Sequence, residues 1–176
     1  MKCKQCKSSM EESVIDLITY YTCADCGKVF EIQTSELDDP VSIAISKFEE
    51  KYSVDLPRGY KAFLQRGDLQ TLRSDSFSIR GKIPSELNYY LEGRKYEICD
   101  FLGIQIIDGN HYLSADHLSQ EWQTPRDIVL IAGDGHTWVG LDYRNGEIEP
   151  SVVLIAGDNW VDLNLLSSFS ELVNYI

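Results

Sequence analysis

The stretch Pro125–Val153, PRDIVLIAGDGHTWVGLDYRNGEIEPSVV, decides the fold of the C-terminal half of the chain. Two apolar runs of strand character, Ile128–Ala132 and Trp138–Asp142, flank the turn Gly133–Gly135. An Asp-Gly pair between alternating apolar residues predicts a β-hairpin, because glycine accepts the positive φ that such a turn needs. The run Pro150–Val153 then predicts a third strand beside the hairpin.

Helical patterns lie on both sides of this sheet. The apolar residues of 41–52 recur at helical spacing and predict a helix to about Lys51, and Pro57 suits the first turn of a second helix, Arg58–Gln65. Ser168 and Glu171 have the spacing of a capping box and predict a C-terminal helix whose Phe169, Leu172 and Val173 dock on the sheet. The segments between them predict a strand Phe77–Arg80, a hairpin from Leu87 to Ile98, a helix Leu113–Trp122 and a strand from Trp160 to Leu163. Helices that flank a mostly antiparallel sheet make the expected fold class α+β.

Four of the five cysteines occur as two C-x-x-C pairs, Cys3/Cys6 and Cys23/Cys26. Two such pairs offer four thiolates to one tetrahedral ion, which is the pattern of structural zinc, and a redox site is the alternative. The pattern predicts a small zinc ribbon over residues 1–34, a linker over 35–40 and an α+β domain over 41–176. The fifth cysteine, Cys99, lies in an apolar run and is expected to pack as a small buried side chain.

The strand-turn-strand pattern of 125–153, the L-P-x-x-Y-x-x-F-L segment of 56–64 and the F-L-G segment of 101–103 resemble the SUKH superfamily. The family often has Asn-Gly-Gly after the helix, where this chain has Arg66-Gly67-Asp68. The resemblance implies a SUKH-like α+β domain over 41–176. It also implies an immunity protein that binds and neutralises a bacterial toxin.

The acidic excess lies in the same half of the chain. Residues 97–176 carry thirteen acidic side chains and only Arg126 and Arg144 as basic ones, whereas residues 35–96 are neutral. Such a field repels nucleic acid and attracts a basic partner, although acidic surfaces also serve solubility. We therefore expect a basic toxin domain, with a nuclease as the favoured class, and no direct contact with nucleic acid.

Acidic and aromatic residues near the predicted turns are the candidates for partner contact: Asp134, Asp142, Glu147, Asp158 and Trp160. Aromatic side chains supply contact area, and carboxylates steer a basic partner. No HExxH or G-x-S-x-G pattern occurs, and His136 beside Asp134 fits an exposed hairpin tip better than a general base, so no enzyme is expected.

The sequence has no apolar run of membrane-spanning length and no signal-peptide pattern at its start, so a cytoplasmic location is expected. A scaffold or regulatory module that recruits a partner through the zinc ribbon is the alternative function.

Overall fold

The structure, a computed structural model, describes residues 6, 10–15, 18–26, 29–33, 39–67, 69, 72–91, 93–146, 149–156 and 160–176. The chain divides into two compact units, 1–43 and 44–176. Of the predicted linker 35–40, residues 35–38 lie outside the described residues, and Pro40 begins a helix. The division at 34 and 40 stays a prediction.

The first unit contains an antiparallel sheet of three strands in the order β1-β2-β3. The strands are β1 (Met10–Ile15), β2 (Ile18–Cys23) and β3 (Val29–Gln33). Cys23 ends β2 and pairs with Met10 at the start of β1. The second C-x-x-C pair therefore begins at the end of a strand.

The second unit is built on a four-stranded antiparallel sheet in the order β11-β10-β9-β8. Its strands are β8 (Ile128–Gly133), β9 (Thr137–Asp142), β10 (Ser151–Ala156) and β11 (Val161–Leu166). All six residues of β9 are buried, as are five of six in β8 and in β10. The central strands are therefore covered on both faces, and the hairpin predicted from Asp134-Gly135 is confirmed.

Four α-helices lie among the described residues: α1 (Pro40–Tyr52), α2 (Arg58–Arg66), α3 (Ser114–Glu121) and α4 (Phe169–Val173). Pro57 precedes α2 with a φ of −52°, and Gly67 ends the helix at a φ of 72°. The Gly67 N–H caps the carbonyls of Phe63 and Leu64, as expected of a glycine at a helix end. The fold is α+β, as the sequence predicted.

The C-terminal helix begins as the capping box predicted. The Ser168 hydroxyl accepts the Glu171 N–H at 3.1 Å, whereas the Glu171 carboxylate bonds Ser167 rather than Ser168. Phe169 and Leu172 are buried, whereas Val173, which we also expected to dock on the sheet, is 40% exposed.

The predicted hairpin from Leu87 to Ile98 is wrong. Residues Ser85–Tyr90 form a 3-10 helix, and β5 (Lys95–Tyr96) pairs with β4 (Phe77–Ser78) instead. Leu87 and Leu91 are buried while Tyr89 is 91% exposed. The apolar spacing of four residues therefore belongs to a helical turn that follows Pro84, not to strand alternation.

Two further strands form a separate ribbon, β6 (Ile104–Ile107) and β7 (Asn110–Leu113). The F-L-G segment lies between this ribbon and the main sheet, because Phe101 bridges Ala132 and the Leu102 N–H bonds the Ile131 carbonyl at 2.8 Å. Cys99 is only partly buried, so the expectation of a buried thiol is wrong; its Sγ lies 3.2 Å from an Asp100 oxygen.

Candidate functional site

The turn between β8 and β9 holds Asp134 in a fixed position. Its Oδ1 accepts the backbone N–H groups of His136 at 2.9 Å and of Thr137 at 3.0 Å. Gly133 precedes it with a φ of 151°, and a Cβ there would lie 2.4 Å from the Trp138 ring. Only glycine fits this position, because any side chain would collide with the Trp138 ring. The close packing of Gly133 on Trp138 therefore helps to fix the backbone that holds Asp134.

Asp134 is exposed and carries its charge at neutral pH. Partial burial favours the neutral carboxyl, but the hydrogen bonds from Thr137 and His136 outweigh it and lower the pKa of Asp134. His136 is exposed beside it, at the hairpin tip that the sequence predicted. The tip therefore presents one oriented negative charge to solvent.

Three tryptophans lie near this turn, and one of them, Trp138, is buried. Trp122 is 41% exposed, and its ring centroid lies 5.9 Å from that of the buried Trp138. A Cβ on Gly135 would lie 3.4 Å from the Trp122 ring, so this side chain reaches the turn itself. Trp160 is partly exposed and donates its indole N–H to the Gln123 carbonyl at 3.2 Å.

The sheet register brings the start of β9 and the start of β11 to the same end of the sheet. Ala156 at the end of β10 pairs with Thr137 at the start of β9, and it also pairs with Val161 at the start of β11. Asp134 and Trp160 therefore lie at one end of the sheet. We call Trp122, Asp134 and Trp160 the turn end.

Asp142 lies at the opposite end, where β9 finishes and pairs with Ser151. The six residues of β9 separate Asp142 from Thr137 by about 17 Å along the strand, at roughly 3.4 Å per residue. The structure therefore does not bring Asp142 together with Asp134. Glu147 and Asp158 lie outside the described residues.

Asp142 is bound by a neighbouring cation. Its side chain is 7% exposed, and Arg144 bonds one oxygen through Nε at 2.9 Å and the other through Nη2 at 2.6 Å. These bonds outweigh the effect of burial and lower the pKa of Asp142. Nη1 of Arg144 also bonds Asp162 on β11, so the guanidinium joins two carboxylates across the sheet. Sequence reasoning missed this link, because periodicity does not show where a long side chain points.

The first unit holds a second candidate site. The sulfurs of Cys6, Cys23 and Cys26 all lie within 4.8 Å of one another, and those of Cys6 and Cys23 are 3.4 Å apart. Four sulfurs bound to one zinc ion at 2.3 Å would lie about 3.8 Å apart, so this spacing fits a shared ion. The three cysteines could hold a metal; the predicted fourth ligand, Cys3, lies outside the described residues.

Within the described ranges, no helix has both the length and the apolar character that crossing a membrane requires.

Comparison with known proteins gives one positive finding. Neither a curated protein nor a solved structure matches the chain. A family model, SMI1 / KNR4 family (SUKH-1), matches residues 42–175, which include the whole four-stranded sheet and the turn end. The SUKH families are associated with immunity proteins against toxins, and their members are typically not enzymes. The chain therefore belongs to the SMI1 / KNR4 family (SUKH-1).

Proposed function

We propose that the chain is a cytoplasmic immunity protein that binds a basic toxin domain, with a nuclease as the favoured class, and blocks its active site. The observation that carries the proposal is the match of residues 42–175 to the SUKH-1 family, in the part of the chain that holds the acidic excess. A nuclease needs a basic groove for phosphates, and a protein with a net charge of −11 over residues 97–176 attracts such a groove.

The turn end is the proposed contact. Asp134 supplies an exposed charge that its hydrogen bonds already orient, and Trp122 and Trp160 supply rigid aromatic area beside it. Because the Asp134 carboxylate is fixed before binding, little conformational entropy is lost when a partner lysine or arginine meets it. Asp158, which lies between Ala156 and Trp160 in the sequence, is proposed as a second contact.

Asp142 has a different proposed role. Its carboxylate is nearly buried and already occupied by Arg144, so it positions Arg144 at the opposite end of the sheet rather than meeting the partner directly. Glu147, which lies between β9 and β10 in the sequence, stays a proposed contact.

We propose that Cys3, Cys6, Cys23 and Cys26 hold one structural zinc ion. Four thiolates fill a tetrahedral site and leave no position for water, so this metal would stabilise the first unit and not catalyse. Elemental analysis of the purified chain should find about one zinc per molecule. Cys23→Ser should lose it, and Cys99→Ser, the matched control outside the cluster, should keep it.

The binding proposal is tested by a pull-down followed by kinetics. The tagged chain is used to recover partners from the cells that produce it, and the rate of association with the recovered toxin domain is measured. We expect Asp134→Lys together with Asp158→Lys to slow association about tenfold or more at low salt, since exposed charges steer encounter. Asp75→Lys, an exposed acid beside Tyr175, is the control and should change the rate far less. Unchanged association of the double variant would remove the turn end as the contact.

One observation favours the alternative, a scaffold that recruits a partner through the ribbon: the cysteine cluster lies outside the family match. The Cys23→Ser chain separates the two functions. Full toxin binding by this variant supports the immunity function, whereas loss of a non-toxin partner supports recruitment by the ribbon.

A further inference from the structure

The β6–β7 ribbon is a tight two-residue hairpin that the proposed function does not use. Ile107 pairs with Asn110, and the residues between them, Asp108 and Gly109, have φ values of 50° and 77°. Positive φ at both central residues is the signature of a type I′ turn, for which Asp-Gly is a preferred sequence. The local turn sequence therefore favours this hairpin and sets how its two strands pair.

This ribbon exposes an unusual amount of apolar surface. Ile106 is 67% exposed, Ile107 is 50% exposed and Tyr112 is 44% exposed. Among the described residues its two strands pair only with each other, so each has an edge with free backbone groups. Exposed apolar strand edges attract further strands, and natural proteins usually protect them with charge or proline.

One face of the ribbon forms a groove with α3. Strand alternation places Ile107 and Tyr112 on that face, and Asp116, His117 and Gln120 of α3 line the other wall. The groove has a volume of about 330 Å³. This space accommodates one or two side chains of an extended segment and is too narrow for a packed helix.

The charge around the groove selects a basic occupant. Two acidic side chains, Asp108 and Asp116, and no Lys or Arg are among the residues that line it. Asp108 at the tip has no ion-pair partner among the described residues, whereas Asp116 is already bound by Lys51 at 2.5 Å and by the Tyr52 hydroxyl at 2.6 Å. A second copy of the chain would bring a like net charge of −12 to the same place, so charge disfavours self-association.

We propose that the β6–β7 ribbon docks an extended, basic segment of a partner protein. The segment adds a strand to the ribbon edge, places an apolar side chain between Ile107 and Tyr112, and sets a lysine or arginine against Asp108. This mode takes affinity from main-chain hydrogen bonds and specificity from alternate side chains. The inference rests on the proposed function only for the identity of the partner, which would be the toxin domain.

The test uses a synthetic probe and the full-length chain. A ten-residue peptide in which lysine alternates with valine is titrated into ¹⁵N-labelled protein, and a glutamate–valine peptide of the same length serves as the charge control. We expect amide shifts concentrated in residues 104–121 with the lysine peptide and none with the glutamate peptide. Shifts centred elsewhere, or equal binding of both peptides, would overturn the proposal.

Two variants test which side chains of the ribbon contact the peptide. Asp108→Asn keeps a turn sequence suited to type I′ geometry while removing the charge, and it should weaken the lysine peptide about threefold. Ile107→Lys should weaken it about tenfold or more, the effect expected of a central contact residue. Tyr89→Lys, at an apolar position that is 91% exposed on the 3-10 helix, is the matched control and should bind as the unchanged chain does.

The remaining outcomes are also decisive. Concentration-dependent dimers in sedimentation, abolished by Ile107→Lys, would replace the basic partner by a second copy. Because the titration needs no toxin, a failed peptide experiment leaves the immunity proposal standing, and a failed toxin recovery leaves the ribbon proposal standing.

Discussion

Replacement of Arg144 by methionine tests the electrostatic link across the sheet. The guanidinium makes two bonds to the nearly buried Asp142 and one to Asp162, and its own side chain is 40% exposed. Methionine keeps much of the aliphatic length while removing every one of these donors. Asp142 retains only the backbone N–H of residue 144, which now bonds it at 2.9 Å.

The expected loss is about 2 kcal/mol at neutral pH. Removing one partner of a buried ion pair costs about 3–5 kcal/mol, and the solvent exposure of Arg144 reduces that figure here. With an m-value of about 2 kcal/mol/M in urea, the midpoint should fall by about 1 M. The signal is tryptophan fluorescence, because all three tryptophans lie in the second unit.

The loss should depend on pH with a defined sign. In the unchanged chain Arg144 lowers the pKa of Asp142 below 3.8, so this stability is present above that pH and is lost as pH falls through the folded pKa. Without Arg144, burial raises the pKa of Asp142, and protonation relieves the unpaired charge. The deficit should therefore be larger at about pH 7.5 than at about pH 5.

Two controls complete the experiment. Arg73→Met removes a 72% exposed side chain that lies 3.9 Å from Glu97, and it should cost less than about 0.5 kcal/mol. Adding Asp142→Asn to Arg144→Met removes the unpaired charge and should recover part of the loss. A midpoint shift equal to that of Arg73→Met, or one that does not change with pH, would refute the reasoning.

Two further predictions concern packing and can be measured by the same urea titration. Gly133→Ala should lower the free energy of unfolding by about 2–3 kcal/mol, because the new Cβ would clash with Trp138. Gly146→Ala is the control; it has open space around it and should lower the free energy of unfolding by about 1 kcal/mol. Equal losses for the two variants would contradict this reasoning. Tyr60→Phe removes the hydroxyl that bonds the Leu102 carbonyl at 3.2 Å and should cost about 1 kcal/mol. Burial raises the pKa of Tyr60, so its contribution is complete below 10.0 and is lost as pH rises above that value. The Phe variant should therefore show a shallower alkaline decline in stability, and an unchanged decline would contradict this.

Local signals predicted the parts of the fold that local chemistry determines. Asp134-Gly135 predicted the hairpin of β8 and β9. Pro57 predicted where α2 begins, Gly67 ends that helix, and Ser168 predicted the start of α4. The Asp108-Gly109 hairpin carried the same kind of signal, and sequence analysis missed it.

The site was harder to predict, because it depends on register and on side-chain direction. Asp134 and Asp142 are eight residues apart in sequence, but they lie at opposite ends of the sheet because β9 separates them. The contact between Trp160 and the Gln123 carbonyl joins residues 37 apart, and no sequence period predicts it.

The most direct test of the central proposal is to mix the chain with the basic domain recovered from the pull-down and assay that domain's activity. The immunity function predicts an equimolar complex in which the toxin activity is lost, and restored activity when Asp134 and Asp158 are both changed to Lys. A complex in which the domain remains fully active, or recovery of only non-toxin partners, would contradict it.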